Sequence, residues 1–354
     1  MKRCWTSVVS VLALTAVVAT SGVRPSLAQS GDKPTVLKLD PSLDSLISSD
    51  AKLQTVATGF GFTEGTAWSQ KGNYLAFSDI PANVIYKVTP AGKVSVLMEH
   101  AGYQGHDIWR VGRMQPNGVD PNAPGYVQFA LLGSNGLTFD PQGRLIIAAH
   151  GDRAIVRIEL NGKRTVLADK YEGKRINGPN DVIVKKNGTI YFTDGYGGLR
   201  GAEKDPNIGV EFRGVFMVKN GKVTRIAEEI ATPNGLALSP DEKTLYANGG
   251  GDKIVRAYDV RPDDSIGNGR VLIDMSSDKT PGIADGIKVD TKGNIWESGN
   301  GGIWIISPQG KHLGTIFTPK LVGNLEFGDA DHKTLYIAAR SDIYKIRVNV
   351  AGIP

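Results

Sequence analysis

Six side chains with carboxylate or amide groups begin six similar stretches of this sequence. They are Glu64, Asn135, Asn180, Asn234, Asp285 and Asn324. Carboxylate and amide oxygens suit a hard cation such as Ca²⁺, which takes roughly six to eight oxygen ligands. Any single Asn-Gly or Asp-Gly pair could instead serve only a turn. A turn would not select Glu64, however, and six residues in register favour a shared cation site.

The sequence has few residues for other metal chemistry. It contains one Cys (Cys4) and five His, so thiolate and imidazole-rich metal sites are not expected. It also lacks the G-x-S-x-G, H-E-x-x-H and P-loop motifs. The interpretation that remains is one divalent cation held by oxygen ligands. We predict Ca²⁺, with Zn²⁺ or Mg²⁺ as alternatives.

Short β-strands must position these six side chains. Each stretch continues with an apolar alternation, a turn rich in Asp, Pro and Gly, and further β-rich runs, as in residues 135–147 and 234–246. Up to four short strands per unit, at a period of about 40–50 residues, are typical of a propeller blade. We therefore predict an all-β fold, a six-bladed β-propeller forming one domain over residues 51–354. A two-sheet sandwich, the alternative, does not explain the repeat.

Two segments outside the regular repeat have predicted roles. The last unit contains only three strands, whereas one β-run, residues 53–57, precedes the first unit. Pairing this N-terminal strand into the last blade would close the ring and leave no exposed edge. Residues 101–132 are rich in Gly, Pro and Asn, and we predict a loop that extends over one face.

The N-terminus has the pattern of a secretory signal peptide. Lys2 and Arg3 precede an apolar stretch, and Ser26-Leu27-Ala28 has the small-x-small cleavage pattern. We predict a signal peptide over 1–28, a linker over 29–50, and a periplasmic or secreted protein. Cleavage would remove Cys4 and lower the net charge from +5 to +2. The mature chain is then expected to bind neither nucleic acid nor membrane.

Two further side chains are candidates for substrate contact. His150 follows the predicted second strand of a unit, where it would face the channel, although a buried structural histidine is equally compatible with that position. Arg175 lies five residues before Asn180, within reach of an anionic or hydroxylated ligand. The alternative for Arg175 is a surface ion pair.

Four motifs together resemble the SMP-30/gluconolactonase/luciferin-regenerating-enzyme (LRE) family. They lie at residues 62–68, 177–182, 233–241 and 284–287, and the similarity extends over roughly residues 51–350. The resemblance implies a six-bladed propeller with one catalytic divalent metal at the top of its channel. It also implies metal binding by Glu64, Asn180, Asn234 and Asp285, although in some members the Asn180 position contacts substrate. Asn135, His150 and Asn324 would lie in the substrate pocket.

The sequence departs from the family pattern at two places. Glu64-Gly65-Thr66 replaces the usual Glu-Gly-Pro, which changes the turn and keeps the ligand. The insertion at 101–132 is longer than in the shortest members, so substrate specificity does not carry over.

The resulting hypothesis is hydrolysis of a sugar lactone or similar cyclic ester, a small-molecule substrate. The metal would polarise the carbonyl, and Asp285 would act as general base or as nucleophile. Two alternatives remain open: a phosphotriesterase-like hydrolase on the same scaffold, and a non-catalytic binding propeller with a structural metal. The sequence does not indicate an oligomeric state.

Overall fold

Six antiparallel sheets, five of four strands and one of five, form the blades in the computed structural model, which describes residues 35–353. The predicted six-bladed β-propeller is confirmed. The predicted signal peptide lies outside the described residues. Within them, no helix has both the length and the apolar character needed to cross a membrane.

The strands are numbered in chain order. Two precede the first blade: β1 (Val36–Lys38) and β2 (Gln54–Thr58). Blade 1 contains β3 (Thr63–Ser69), β4 (Tyr74–Asp79), β5 (Val84–Val88) and β6 (Val94–Glu99). A hairpin follows, β7 (Met114–Pro116) and β8 (Gln128–Ala130). Blade 2 contains β9 (Ser134–Phe139), β10 (Leu145–Ala149), β11 (Ala154–Ile158) and β12 (Arg164–Ala168). A second hairpin follows, β13 (Lys170–Tyr171) and β14 (Lys174–Arg175).

The remaining blades repeat this order. Blade 3 contains β15 (Pro179–Val184), β16 (Ile190–Asp194), β17 (Gly214–Lys219) and β18 (Lys222–Ala227). Blade 4 contains β19 (Pro233–Leu238), β20 (Thr244–Gly249), β21 (Ile254–Val260) and β22 (Ile266–Asp274). Blade 5 contains β23 (Ile287–Val289), β24 (Ile295–Gly299), β25 (Gly302–Ile306) and β26 (His312–Phe317). Blade 6 contains β27 (Val322–Gly328), β28 (Thr334–Ala339) and β29 (Asp342–Arg347). Short 3₁₀ helices span Pro41–Ser45, Ile108–Arg110 and Ala202–Lys204.

Apolar side chains from facing sheets form the core between neighbouring blades. Ile146 of blade 2, for example, belongs to one cluster with Phe192 and Phe216 of blade 3. The second strand of each blade is buried on both faces, as in β10, where all five residues are buried. This explains the continuous apolar runs that follow each turn in the sequence. The first strands are left to line the central channel.

Strand β2 closes the ring. It pairs antiparallel with β29, from Gln54 opposite Lys345 to Thr58 opposite Asp342. The predicted closure by an N-terminal strand is therefore confirmed. The pairing covers the edge of β29 that would otherwise be exposed, and β2 becomes the outer strand of blade 6.

Residues 29–50 are predicted to be a linker. The part of this segment that the structure describes is instead packed into the propeller. Strand β1 adds a fifth strand to blade 5, with Val36 opposite Ile316. The 3₁₀ helix that follows buries Leu43, and Leu46 and Ile47 behind it are also buried. These side chains pack in the cluster between blades 5 and 6. These apolar residues are few and are separated by polar residues, so the sequence pattern does not indicate that they are buried.

The insertion at 101–132 crosses one end of the propeller, as predicted, and contains the β7–β8 hairpin and one helical turn. At its base, Phe129 and Leu131 pack with Phe62 of blade 1. Further along, the backbone N–H of Gly112 donates to the Gly198 carbonyl at 2.9 Å. The insertion is thus attached to blade 1 at its base and to a blade 3 loop beyond it.

Candidate functional site

The first strands of all blades begin at one end of the channel, which we call the carboxylate end. Five of the six predicted residues lie at the start of a first strand, and Asp285 lies two residues before β23. Glu64, Asn135, Asp285 and Asn324 are buried, with at most 6% of their surface exposed. Asn180 and Asn234 are half-buried. The fold therefore brings the six residues to one end of the channel.

We call the six residues at this end the channel residues. Neighbouring first strands approach each other so closely here that the residue directly following a channel residue has no room for a side chain. A Cβ on Gly65 would lie 1.7 Å from the Asn135 carbonyl oxygen, and one on Gly235 would lie 2.0 Å from that of Asp285. Gly65 also has φ of +51°, in the left-handed region. The glycine that follows the channel residue in these blades allows the first strands to converge.

Second-strand side chains hold the backbone of the channel residues in place. Three of them share one role, since each donates a hydrogen bond to the carbonyl of the next blade's channel residue: Ser78 to Asn135 (2.9 Å), Thr193 to Asn234 (2.7 Å) and Asn248 to Asp285 (2.6 Å). Sequence reasoning missed these three residues. A polar residue near the end of an apolar second strand is the signal that could have identified them.

The centre of the site is a pair of carboxyl groups, Glu64 and Asp285. They lie close enough to share a hydrogen bond when one is protonated. Burial raises the pKa of Glu64 to about 7. Burial, followed by repulsion from Glu64, raises the pKa of Asp285 well above its usual range. In the absence of a cation, the two groups therefore retain a proton near neutral pH.

Two amides orient this pair. The Asn324 Nδ2 donates to Glu64 Oε2 at 3.2 Å, while its Oδ1 accepts from Thr66 Oγ1 at 3.1 Å. Asn234 is hydrogen-bonded to Asp285. Asn324 is thus engaged in holding Glu64, and its predicted contact with substrate stays a prediction. Asn180 is half-buried on β15. It directly precedes Asp181, an acid close to the carboxyl pair.

Two additional buried carboxylates surround the pair, and sequence reasoning missed both. Glu297 of β24 is fully buried and accepts from Asn248 Nδ2 at 2.7 Å, whereas its Oε2 has no partner among the described residues. Asp181 accepts from the Leu236 backbone N–H at 2.9 Å. Burial raises the pKa of each group, and both repel the charge of Asp285. Nothing in the local sequence distinguishes them from ordinary strand residues.

The donor set fits a hard divalent cation. Two adjacent buried carboxylates cannot both ionise without a counter-charge, and a cation supplies it. Glu64 and Asp285, with the amide oxygens of Asn180 and Asn234, would be its protein ligands. Over residues 35–353 no cluster of three His, Cys, Asp or Glu side chains is arranged to hold a metal. The candidate ligand set contains only two residues of these types, Glu64 and Asp285, because its other two ligands are the amides of Asn180 and Asn234.

His150 and Asn135 form a second polar contact in the site. Asn135 Nδ2 and His150 Nε2 lie 3.3 Å apart, and His150 Nδ1 has no hydrogen-bond partner in the described part of the chain. Burial, with the nearby charge of Arg113, lowers the pKa of His150 to about 4. The ring is therefore neutral at pH 7, and one of its nitrogens is buried.

Arg175 lies apart from the buried groups. It is exposed on β14, and its Nη2 donates to the Asp152 carbonyl oxygen at 2.6 Å. The structure thus gives this guanidinium a backbone partner on the surface. Its predicted contact with substrate is not supported by any bond to the other site residues and stays a prediction.

Known proteins resemble this chain in sequence and in fold. A family model described as the SMP-30/Gluconolactonase/LRE-like region matches residues 62–341. A gluconolactonase from Zymomonas mobilis is 31% identical over 97% of this chain and 95% of its own length. A solved structure of a gluconolactonase from Xanthomonas campestris is 28% identical, with a TM-score of 0.72, and the match covers 90% of this chain and 95% of that one. A pentonolactonase from Haloferax volcanii is 27% identical over 49% of this chain and 58% of its own length.

Proposed function

The chain belongs to the SMP-30/gluconolactonase/LRE-like family, and from this premise we propose that it is a cation-dependent hydrolase of sugar lactones. The observation that carries the proposal is the buried pair Glu64 and Asp285, two adjacent carboxyls at the mouth of the channel without a protein counter-charge within ion-pair distance among the described residues. Relatives named as gluconolactonase and pentonolactonase support the lactone as substrate class.

The cation would be held by Glu64, Asp285, Asn180 and Asn234, and Ca²⁺ is the ion that this oxygen-rich set favours. When bound, it would polarise the lactone carbonyl and stabilise negative charge that develops on its oxygen. Asn324 keeps the Glu64 carboxylate in position through its 3.2 Å hydrogen bond. Asn248 and Ser298 fix the backbone of Asp285 from both sides, at 2.6 and 2.8 Å.

Asp285 is the residue proposed to accept the proton of the attacking water. Its carboxyl is buried at the proposed cation site, where a bound cation would lower its pKa and the surrounding acids would oppose that lowering. Direct attack by Asp285 on the carbonyl carbon, in place of proton transfer from water, is the variant mechanism to be tested. His150 and Asn135, which are in contact with each other, are the residues proposed to bind substrate hydroxyl groups.

The test measures hydrolysis of glucono-δ-lactone by the purified protein, with and without a chelator, and by the variants Asp285→Asn and Glu64→Gln. The proposal predicts loss of activity in the chelator, its recovery on addition of Ca²⁺, and loss in both variants. Chelator-insensitive lactonase activity in both variants would overturn the cation site.

A phosphotriester assayed in parallel distinguishes the proposed lactonase from the main alternative, a phosphotriesterase. The same carboxylate pair and cation could polarise a phosphoryl oxygen. Cation-dependent hydrolysis of the phosphotriester, with none of the lactone, would replace the lactonase proposal by a phosphotriesterase.

Export to the periplasm or the medium is the proposed location. It is supported by the signal-peptide pattern of residues 1–28. N-terminal sequencing of the protein recovered from a bacterial host's periplasm is expected to begin at Gln29. A chain that retains residues 1–28 in the cytoplasm would contradict the proposal.

A further inference from the structure

Two arginines occupy tight turns at the carboxylate end, both with left-handed backbone: Arg153 with φ of +54° and Arg340 with φ of +53°. The guanidinium of Arg153 is fully engaged. Its Nε, Nη1 and Nη2 donate to Ile176 O, Asn207 O and Asn177 Oδ1 at 2.8, 2.9 and 3.0 Å. Arg153 is therefore a structural residue that ties blade 2 to blade 3.

Arg340 differs from Arg153 in having no such partners. Its guanidinium carbon lies 5.1 Å from the centre of the Phe62 ring. Its Nη1 is buried, yet it has no hydrogen-bond partner in the described part of the chain. No carboxylate of residues 35–353 lies within 4.0 Å of it. A buried guanidinium N–H left unpaired is costly, so a ligand that accepts from it would be stabilised.

The location of Arg340 relates it to the proposed active site. Its carbonyl oxygen accepts from the backbone N–H and Oγ1 of Thr63, at 2.6 and 2.8 Å, and Thr63 precedes Glu64. The charges of Glu64 and Asp285 act on its guanidinium. Arg340 thus lies at the rim of the carboxylate end, beside the pair that would be neutralised by a divalent cation.

The 101–132 insertion covers this arginine. A Cβ on Gly118 would lie 3.6 Å from the Arg340 guanidinium, so the loop passes directly against it. The same insertion is hydrogen-bonded to Gly197 and Gly198 of blade 3 through Arg113 and Gly112. It therefore spans the rim between blade 3 and blade 6, and it limits the access of water to Arg340. Reduced water access strengthens charge-assisted hydrogen bonds.

We propose that Arg340 is a specificity-determining residue that binds a carboxylate of the substrate, so that the enzyme prefers lactones with a second, ionised carboxyl group. Monolactones of sugar diacids are the class with this chemistry. The planar fork of a guanidinium matches a carboxylate in two parallel hydrogen bonds. Water cleaves the acyl C–O bond of the ring: the ring oxygen becomes a hydroxyl, and the carbonyl carbon becomes a carboxylic acid that releases one proton to form a second carboxylate. The carboxylate on Arg340 does not react. The inference rests on the proposed lactone hydrolysis.

The experiment compares two lactones, glucaro-γ-lactone with a free carboxylate and neutral glucono-δ-lactone, in the wild type, Arg340→Met and Arg340→Lys. Methionine keeps a flexible stem on Phe62 and removes the charge. In Arg340→Met we expect kcat/KM for glucaro-γ-lactone to fall about 10- to 100-fold, mainly through KM. The value for glucono-δ-lactone should change less than about threefold. Arg340→Lys should recover part of the loss because it retains the charge.

Arg110→Met is the matched control, because Arg110 is an exposed cation of the insertion on the same face. It should leave the ratio of the two kcat/KM values unchanged. An equal fall for both lactones in Arg340→Met, or an equal change of the ratio in Arg110→Met, would overturn the inference. Thermal midpoints, with glucono-δ-lactone turnover, verify that each variant folds.

Binding measurements separate this inference from the proposed function. Glucarate and the neutral glucitol are titrated calorimetrically into the wild type and Arg340→Met. Glucarate is expected to bind the wild type at least about tenfold more tightly than the variant, and equal binding would contradict a carboxylate site. If the wild type hydrolysed neither lactone, the proposed function would fail while this titration would still decide the role of Arg340.

Discussion

The two ends of the propeller channel are lined by the same six first strands and differ in chemistry. At the carboxylate end, Glu64 and Asp285 lie together with amides around them. At the other end, where the first strands finish, there is a cavity of about 630 Å³. Its walls are largely apolar, with Trp68, Phe139 and Phe327 among them. We call it the apolar end.

The pairing of buried charges distinguishes the two ends. At the apolar end, Glu326 has a cationic neighbour, since Lys288 Nζ lies 3.9 Å from its Oε2. At the carboxylate end, the nearest acids repel one another and no lysine or arginine forms an ion pair with Glu64 or Asp285 within the described chain. The buried acid of the apolar end is therefore compensated by a lysine, whereas the carboxyl pair of the carboxylate end requires a counter-charge. This difference identifies the site.

The largest expected effect comes from Asp285→Asn. Removing the proposed base should lower kcat for glucono-δ-lactone by about 10²- to 10⁴-fold. Glu326→Gln is the matched control, because it makes the same carboxylate-to-amide change at a buried residue of the apolar end. It should leave kcat within about threefold. Similar losses in the two variants would remove the functional distinction between the ends.

Addition of Ca²⁺ should stabilise the chain only through the carboxylate end. At a concentration about 100 times the Kd, binding contributes about 2.7 kcal/mol, which corresponds to a rise in Tm of about 5 °C. Differential scanning fluorimetry of chelator-treated protein measures this rise. It should persist in Glu326→Gln and be absent in Asp285→Asn. A full rise in Asp285→Asn would place the cation elsewhere.

The pH dependence of stability should reveal the buried acid of the apolar end. Burial raises the pKa of Glu326 to about 7, although Lys288 opposes the shift. A carboxyl whose folded pKa is raised binds more protons in the folded than in the unfolded chain. Its contribution is fully present below about pH 4.5 and is lost as pH rises through about 7.

Between pH 5 and pH 8, the free energy of unfolding of the metal-free wild type should therefore fall more steeply than that of Glu326→Gln. The difference is expected to be on the order of 1–3 kcal/mol. Urea denaturation at both pH values measures it. Glu64 titrates in both proteins, so their difference isolates Glu326. Identical slopes would show that Glu326 stays ionised in the folded chain.

The smallest effect on activity is expected at Leu238, which lies at the apolar end of β19, the strand that contains Asn234. Leu238→Ala should lower the free energy of unfolding by about 1–3 kcal/mol because it removes apolar packing. It should change kcat/KM less than about twofold. Asn234→Ala on the same strand should show the reverse pattern. A larger loss of activity in Leu238→Ala would indicate that substrate reaches the apolar end.

Sequence reasoning succeeded where the signal was local and repeated. The alternation and turns recur in every unit, so strand number and blade number follow from short-range patterns. The closure by β2 was predictable because an unpaired strand and an incomplete last unit occur together. The segment that contains β1 was missed, since three residues of apolar pattern carry too little periodicity to be distinguished from a linker.

The site was predicted in part for the same reason. Glu64 and Asp285 recur in register with four amides, so their position could be inferred. Glu297 could not, because it lies in the interior of an apolar strand and approaches Asp285 only through the pairing of β23 with β24. Arg340 likewise lies far from Phe62 and Gly118 in the chain.

The sequence by itself determined the all-β class, the six repeats, the oxygen-rich residue types and the glycines that allow first strands to converge. These depend on backbone preference and on side-chain chemistry, which are properties of a few adjacent residues. Only the tertiary structure decided which carboxyls meet without a cation, which arginine remains unpaired, and which face the insertion covers. Those outcomes depend on distances between residues remote in sequence, and ring closure fixes such distances only once all six blades have packed.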